Sequence, residues 1–355
     1  MFERVFKLSE HKTTVKTEVM AGITTFMTMA YILAVNPSVL GSTGMDTTAV
    51  LLATALASCL GTLCMAFMAN LPFALSAGMG LNAFMAYTVV AGYGYSWQVA
   101  LLAVFIEGLI FIVLSLTNIR EAIFNAIPLT LKKGVSVGIG LFIAFIGLQN
   151  SGLCVDSATL VGIISFPENF HTAGICALLT LIGLFFTAVF YTRKMKGAIL
   201  YGILLTWILG MLCQVTGLYV PTPDAGFYSL FPSWGMTDFS KLGLTFGQCF
   251  NVDFSAVGIV NFIVVIFSFL FVDIFDTLGT LIGVATKAKM LDKDGKLPGI
   301  KPALLADSIA TSAGAILGTS TTTTFVESAS GVAVGGRTGL TALVTGILFL
   351  VSTLF

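Results

Sequence analysis

Apolar stretches long enough to cross a bilayer recur along almost the whole chain. A membrane-spanning helix needs about 20 apolar residues, and windows of that length predict eleven spans in this sequence. Most of the charged residues lie in the short segments between them. The predicted spans are residues 19–40, 48–69, 73–91, 97–117, 133–149, 172–191, 197–216, 257–284, 302–318, 320–334 and 338–355. The pattern predicts an all-α polytopic membrane protein.

The placement of the positive charges predicts how the chain crosses the membrane. Cytoplasmic loops are enriched in Lys and Arg, and a cytoplasmic N-terminus leaves only Lys241, of 17 Lys and Arg residues, on the outer side. Hydrophobic residues make up 57% of the chain and charged ones 10%, against about a quarter charged in soluble domains. Because 17 negative residues balance the positive ones, net charge suggests no nucleic-acid partner. We expect a multi-pass protein of the cell (inner) membrane.

Residue types that enzymes and ATP-driven pumps require are missing from the predicted spans. The two histidines, His11 and His171, fall outside them, which excludes a histidine proton relay within the membrane. Six cysteines form no CxxC pair and are expected to be buried thiols. The sequence has no GxxxxGK[ST] motif, so ATP drive within this chain is not expected. The sequence predicts no enzyme, no cofactor and no metal.

Acidic residues carry the chemistry that remains in the spans. Glu107, Asp273, Asp276 and Glu327 lie in or beside apolar runs that contain no Lys or Arg. A charge at bilayer depth costs about 2.5–3.5 kcal/mol, so such a residue normally faces a cavity, a partner or a substrate. Asp273 and Asp276 are three apart and share a helix face, where two like charges favour keeping a proton on one of them. Helix capping or pairing with a backbone amide is the alternative for both. Glu107 is expected to form a buried hydrogen bond to a neighbouring helix, and Asp307 stays undecided.

Two predicted spans are interrupted. Residues 71–84 (LPFALSAGMGLNAF) contain three helix-breaking residues, and residues 317–331 (LGTSTTTTFVESASG) contain a run of β-branched Thr. Each sequence indicates an extended piece followed by a half-helix, which is tolerated at membrane depth only where it lines protein or a cavity. Paired breaks in the two halves of a transporter mark its binding site. Close helix packing is the alternative for Gly78, Gly80 and Gly331, and an interhelical hydrogen bond is the alternative for Asn82.

A weak internal repeat accompanies the breaks. Residues 108–113 (GLIFIV) resemble residues 346–351 (GILFLV) at an offset of 238 (346 − 108). That offset also overlays the first predicted span on the eighth and the third on the tenth. Seven spans separate the copies, and an odd number inverts them across the membrane. A complete second copy would end near residue 454 (216 + 238), so we expect that about three helices are missing and that the sequence is a fragment.

Four motifs resemble one transporter family. They are residues 21–37 (AGITTFMTMAYILAVNP), 76–84 (SAGMGLNAF), 271–280 (FVDIFDTLGT) and 322–332 (TTTFVESASGV). Together they resemble the AzgA-like purine permeases, the hypoxanthine, guanine and adenine branch of the nucleobase–cation symporter-2 group. The resemblance implies a 14-helix, 7+7 inverted-repeat transporter fold. Its core domain would comprise residues 1–118 (helices 1–4) and 256–355 (helices 8–11), and residues 119–255 would supply helices 5–7 of the gate domain.

The resemblance also implies a substrate and a site. A purine nucleobase would lie between the broken third and tenth helices and be imported by symport with H⁺, or alternatively Na⁺. Glu327 would accept N–H hydrogen bonds from the base, Asp273 would take a second edge, and Asp276 would couple to the proton. Asn82 and the Gly80 backbone would contact the base from helix three, and Phe325 would stack on it. The expected partners are the nucleobase, membrane lipid and, in a homodimer, a second copy of the chain.

Two other functions are compatible with parts of the pattern. Anion carriers and channels share the 7+7 architecture, but they favour a positive site at paired half-helix N-termini, where this chain has Glu327. An intramembrane aspartyl enzyme could share a proton between two acids. The three-residue spacing of Asp273 and Asp276 on a single helix argues against that enzyme.

Overall fold

The computed structural model describes residues 2–117, 119, 128–157, 160–195, 198–223, 226–231, 235–254, 257–292 and 297–354. Most of them are helical. The α-helices of the described residues are α1 (Phe2–Phe6), α2 (Val15–Met29), α3 (Ile32–Gly41), α4 (Thr47–Cys64), α5 (Met79–Ala83), α6 (Trp97–Leu116), α7 (Leu129–Asn150), α8 (Phe166–Asn169), α9 (Ile175–Thr192), α10 (Ala198–Val215), α11 (Ile259–Ala288), α12 (Ile300–Leu317), α13 (Ser328–Val334) and α14 (Gly339–Ser352). The strands are β1 (Leu75–Ala77), β2 (Cys154–Ser157), β3 (Leu160–Ile163) and β4 (Thr322–Thr324).

Wider helical turns and 3₁₀ turns complete the elements. π-Helical turns extend α4 over Met65–Ala69 and α5 over Phe84–Gly92, and Phe170–Gly174 links α8 to α9. Two 3₁₀ turns, Phe239–Leu244 and Gln248–Phe250, precede α11.

Every predicted span overlaps a helix, and the spans 73–91 and 320–334 also contain the strands β1 and β4. Six helices among the described residues are long and apolar enough to cross a membrane: Val15–Gly41, Thr47–Ala69, Trp97–Leu116, Phe166–Thr192, Ile259–Ala288 and Ile300–Leu317. Shorter apolar helices occupy Met79–Gly92, Tyr201–Val215 and Gly339–Ser352. Of the basic residues used to predict the orientation, Arg120, Lys196, Lys293 and Lys296 lie outside the described residues.

Side-chain caps fix where several of these helices begin. Thr14 accepts a hydrogen bond from the Thr17 N–H at the start of α2, and Asp46 accepts one from the Ala49 N–H at the start of α4. Such caps satisfy amides that have no acceptor within the helix. Asp46 also pairs with Lys241 (Nζ to Oδ2, 3.3 Å), the one basic residue predicted to lie outside.

The two interrupted spans pair with each other. β1 and β4 form an antiparallel two-stranded ladder in which Ser76 lies opposite Thr323. The Gly78 N–H donates to the Thr321 carbonyl at one end of the ladder (2.9 Å), and the Phe325 N–H donates to the Ala74 carbonyl at the other (2.9 Å). Helix α5 follows the first strand and α13 follows the second. The prediction of an extended piece followed by a half-helix is confirmed at both breaks.

The strands are not related by the predicted offset. β1 begins at Leu75 and β4 at Thr322, a separation of 247 (322 − 75) rather than 238. The helices that precede the two breaks, α4 and α12, already begin 253 residues apart (300 − 47), so the two halves differ in length before the strands. A single offset derived from residues 108–113 therefore does not describe the interrupted spans.

The chain divides into two compact units, Met1–Ile139 with Met236–Phe355, and Gly140–Gly235. The first contains both interrupted spans and every predicted site residue. In it α12 packs against α6 and α4, and α14 packs against α2 and α4. In the second unit α9 packs against α10, and β2 pairs with β3. The division into core and gate domains at residues 118 and 255 stays a prediction.

Candidate functional site

The β1–β4 ladder lies inside the first unit. All four residues from Thr321 to Thr324 are buried, with at most 2% of each exposed. Helices α4, α11 and α12 contact β4 or the segment next to it. In a low-dielectric interior each backbone polar group needs a partner, and the ladder supplies partners for both extended segments. The ladder therefore fixes where α5 and α13 begin.

Glu327 lies directly before α13 and is half-buried. The Tyr31 hydroxyl, located between α2 and α3, donates to Glu327 Oε1 at 2.8 Å. The Ser330 hydroxyl is 2.6 Å from the Glu327 carbonyl and 2.8 Å from Thr28 Oγ1. These contacts hold the first turn of α13 against α2, and they orient one carboxylate oxygen of Glu327.

Asp273 is fully buried on α11 and belongs to a polar cluster around Thr277. Thr277 Oγ1 is 3.1 Å from Asp273 Oδ1, 3.1 Å from Asp307 Oδ2 and 2.7 Å from Thr323 Oγ1. A threonine hydroxyl has one proton to donate, so Thr277 donates to only one of the two carboxylates at a time. A proton on the other carboxylate would make its contact with Thr277 a hydrogen bond as well.

Asp307, which the sequence left undecided, also anchors the ladder. Its Oδ1 accepts the Thr324 N–H at 3.2 Å, so one side chain of α12 binds both β4 and the Thr277 cluster. Asp276 lies near Gly78, the residue before α5. A Cβ atom at Gly78 would be 3.4 Å from Asp276 Oδ2 and 2.9 Å from Thr323 Cγ2. The carboxylate of Asp276 is therefore next to the start of α5.

Helix α5 brings Asn82 and Gly80 to the same region. Asn82 is fully buried, and its Oδ1 accepts a hydrogen bond from Ser320 Oγ. Its Nδ2 has no hydrogen-bond partner among the described residues. Gly80 is the second residue of α5, where the N–H group has no acceptor within the helix. Both positions offer donors at the end of α5 that faces the ladder.

Phe325 occupies a packed environment. Its side chain is 5% exposed and belongs to an apolar cluster with Met29, Ile32 and Phe349. Its predicted stacking on a base stays a prediction. Glu107 accepts a buried hydrogen bond from Thr321 Oγ1 at 2.9 Å, as expected, but the partner lies in the extended segment before β4 and not on a neighbouring helix.

Close packing explains two of the glycines. A Cβ atom at Gly331 would collide with Thr25 Oγ1 and lie 2.7 Å from the Ala21 carbonyl. Gly331 therefore lets α13 approach the backbone of α2, as the packing alternative predicted. Gly78 has the same tight approach to Thr323. The described residues contain no group of three His, Cys, Asp or Glu able to hold a metal ion.

Sequence reasoning did not single out Tyr31, Thr277 or Thr323 as site residues. Each lies within a motif quoted above, but hydroxyls are common in membrane helices because they bond to their own backbone. The sequence feature that could have identified such a residue is a hydroxyl three or four positions from an acid within a membrane span. Thr277 meets that criterion, being four residues after Asp273.

Comparison with known proteins identifies the family. A model described as the Permease family, Xan_ur_permease, matches residues 16–355. The putative permease MJ0326 of Methanocaldococcus jannaschii is 48% identical over 354 residues, 99% of this chain and 76% of the relative. Adenine permease AdeP of Escherichia coli is 43% identical (99% and 74%). Guanine/hypoxanthine permease PbuO of Bacillus subtilis is 44% identical (99% and 77%).

Solved structures share the fold at low identity. The transmembrane domain of the cyanobacterium bicarbonate transporter BicA matches with a TM-score of 0.60 at 14% identity, covering 94% of this chain and 80% of that one. SLC26A9 matches with a TM-score of 0.52 at 14% identity, covering 97% and 55%. With its apolar helices, this likeness makes the chain a multi-pass helical membrane protein. The predicted resemblance is thus confirmed, and the chain belongs to the permease family of nucleobase transporters, which are not enzymes.

Proposed function

We propose that this protein imports purine nucleobases, namely hypoxanthine, guanine and adenine, by symport with protons. One observation carries the proposal: the paired breaks bring Glu327, oriented by Tyr31, into the same unit of structure as the Asp273 and Asp276 carboxylates of α11. The names of the relatives, adenine permease and guanine/hypoxanthine permease, support the substrate class.

The side chains suit a neutral purine. A purine presents N–H donors and ring-nitrogen acceptors along its edges, and carboxylates provide only acceptors unless protonated. Glu327 would accept from one edge and Asp273 from a second. Asn82 Nδ2, which has no protein partner among the described residues, would donate to the base, and the Gly80 N–H would contact it. A buried site of this kind rejects analogues that lack the matching groups, because its own polar atoms would be left unpaired.

The acidic side chains near the β1–β4 ladder could carry the proton that is coupled to transport. The structure places His171 within the apolar helix Phe166–Thr192, so the prediction that both histidines lie outside the spans is wrong for this residue. His171 belongs to the second unit, and the helices that carry the acids of the site contain no histidine, so we assign the proton that crosses with the substrate to a carboxylate. We assign this role to Asp276, which is half-buried beside the start of α5. Replacing external Na⁺ by choline tests the Na⁺ alternative.

The architecture that supports this function is a 7+7 inverted repeat with a core domain and a gate domain. Antiparallel pairing of β1 with β4 is what two inverted copies would produce where their broken helices meet. The protein would lie in the inner membrane with a cytoplasmic N-terminus, and two copies could form a dimer. BicA and SLC26A9 have a similar fold, but the acids of this site disfavour an anion as substrate.

Uptake of labelled hypoxanthine, guanine and adenine into permease-deficient cells that express the gene tests the proposal. We expect uptake that unlabelled purine competes away and that a proton uncoupler abolishes. No uptake above vector controls, with the protein shown at the membrane, would exclude purine transport. Uptake that persists with the uncoupler and requires Na⁺ would instead exclude proton coupling.

Asp276→Asn separates coupling from binding. We expect this variant to bind purine but to lose the dependence of transport on the pH gradient, because an amide cannot take up and release a proton. Glu10→Gln, an exposed residue of the N-terminal segment, is the control for loss of one acid. Transport by Asp276→Asn that still follows the pH gradient would remove the proton role from Asp276.

A further inference from the structure

A cavity separate from the candidate nucleobase site lies in the first unit. It is at the end of that unit that the basic residues predict to be cytoplasmic. Its volume is about 980 Å³, within the range of small-molecule sites. It is bordered by the start of α2, by Ala69 and Ala288 near the ends of two long helices, and by the segment between α13 and α14. None of the acids of the nucleobase site lines it.

Among the described residues, the charged side chains that line this cavity are Lys12, Lys289 and Arg337, and the His11 imidazole also lines it. Neither Lys12 nor Lys289 forms an ion pair with another described residue, and no described carboxylate lines the cavity. A cleft lined by one sign of charge concentrates ions of the opposite sign. This lining therefore favours an anion over a cation.

Two acids lie close in sequence to the lining residues, and both have other partners. Glu10 pairs with Lys7 (Oε2 to Nζ, 3.4 Å). Glu18 lies in the first turn of α2, but it is fully buried and accepts hydrogen bonds from the Arg337 and Thr338 amides and from Thr341. Its carboxylate caps the start of α14. Its carboxylate is thus directed into the protein and does not line the cavity.

Hydrogen-bond donors accompany the charge. Thr14 and Thr17 at the start of the 15-residue helix α2 line the cavity, where helix amides and the helix dipole favour anions. Thr13 Oγ1 is shielded from solvent and has no partner among the described residues. Arg337 Nη1 donates to the Val332 and Gly336 carbonyls, which fixes the plane of the guanidinium group.

The rest of the lining is apolar, including Leu71, Met290 and Leu297. A ligand that fills the cavity therefore needs an anionic group together with a less polar part. We propose that this cavity binds a phosphate ester, whose phosphate contacts Lys12, Lys289 and Arg337 and whose remaining part covers the apolar lining. Arg and Lys are the side chains proteins use to bind phosphate. Two sources share this chemistry: a free nucleotide and the headgroup of an anionic phospholipid.

Lys12→Gln with Lys289→Gln is the variant that tests the site. Both side chains are exposed, so the double variant should fold normally. Lys16→Gln with Lys287→Gln is the matched control, since it removes one exposed positive charge near Lys12 and one near Lys289 without touching the lining. The first measurement is ATP binding by calorimetry to the purified protein in detergent, with inorganic tripolyphosphate for comparison. The second is thermal unfolding in phosphatidylcholine nanodiscs with and without phosphatidylglycerol.

We expect either ATP or phosphatidylglycerol to bind. The affinity should be at least about tenfold lower for the Lys12/Lys289 variant, because two charge-assisted contacts are lost. It should be unchanged for the control. ATP binding with this pattern identifies a nucleotide. Stabilisation by phosphatidylglycerol with this pattern identifies a lipid. The proposal is overturned if neither ligand acts, or if both double variants lose the effect equally, which is what diffuse surface charge would give. Neither outcome depends on purine transport.

Discussion

Tyr31→Phe tests whether Glu327 must be positioned to bind substrate. The substitution removes one hydroxyl and leaves the ring in place, so the change is confined to the 2.8 Å hydrogen bond from Tyr31 to Glu327 Oε1. A hydrogen bond to a charged group contributes about 1.5–3 kcal/mol. If the whole contribution supports binding, purine affinity falls by about tenfold to about a hundredfold. Water can reach the half-buried Tyr31 and replace part of the bond, which favours the lower end of that range.

The experiment measures both purine binding and protein stability, so that a loss of binding can be distinguished from a loss of folding. Purine affinity is measured by isothermal titration of the purified protein, and stability by thermal unfolding of Tyr31→Phe, Glu327→Gln and the double variant. A double-mutant cycle isolates the energy of the pair. Tyr87→Phe is the matched control, because Tyr87 is 58% exposed and its hydroxyl donates no hydrogen bond in the described part of the chain. Unchanged affinity for Tyr31→Phe together with a coupling energy near zero would refute the positioning role.

Further predictions concern two structural contacts. Glu18→Gln should lower the free energy of unfolding by about 1.5–3 kcal/mol, because an amide replaces the carboxylate that accepts the hydrogen bonds at the start of α14. The control Glu10→Gln, measured by the same thermal unfolding, should have no effect. Equal stability of the two variants would contradict the capping role of Glu18. Gly331→Ala should destabilise the protein by about 1–3 kcal/mol, because the added methyl meets the α2 backbone. At Gly283 on α11, no atom lies within 4 Å of an added Cβ, so Gly283→Ala should be neutral or stabilising by up to about 1 kcal/mol. A similar loss of stability for both Gly→Ala variants would refute the packing argument.

The spans and the breaks could be predicted because the bilayer imposes strict limits on sequence. Apolar length sets the helices, so Ile259–Ala288 and Trp97–Leu116 coincide with predicted spans. The Thr run at 321–324 is a poor helix former, which made an extended segment predictable. The cost of a buried charge singled out Glu327 and Asp273 in advance. In each of these cases a local rule is sufficient.

Features that depend on long-range contacts could not be predicted in the same way. Nothing local indicates that Tyr31 bonds to a residue 296 positions away or that Glu18 caps a helix more than 300 positions later. Glu18 belongs to a charged, amphipathic N-terminal stretch and has the sequence context of a surface residue. The strand offset failed for the same reason, since it depends on loop lengths in both halves. Phe325 has a motif position typical of a stacking residue, but only the fold reveals its apolar neighbours.

Purine binding by Glu327→Gln tests the central claim most directly. Gln keeps the size of the side chain and can still accept from Tyr31, but it loses the charge and one of its two acceptor oxygens. Saturable binding of labelled hypoxanthine, guanine or adenine to the purified protein is measured for wild type, Glu327→Gln and the exposed control Glu10→Gln. The account predicts binding by wild type and the control and none by Glu327→Gln. Full binding by a folded Glu327→Gln protein would contradict it.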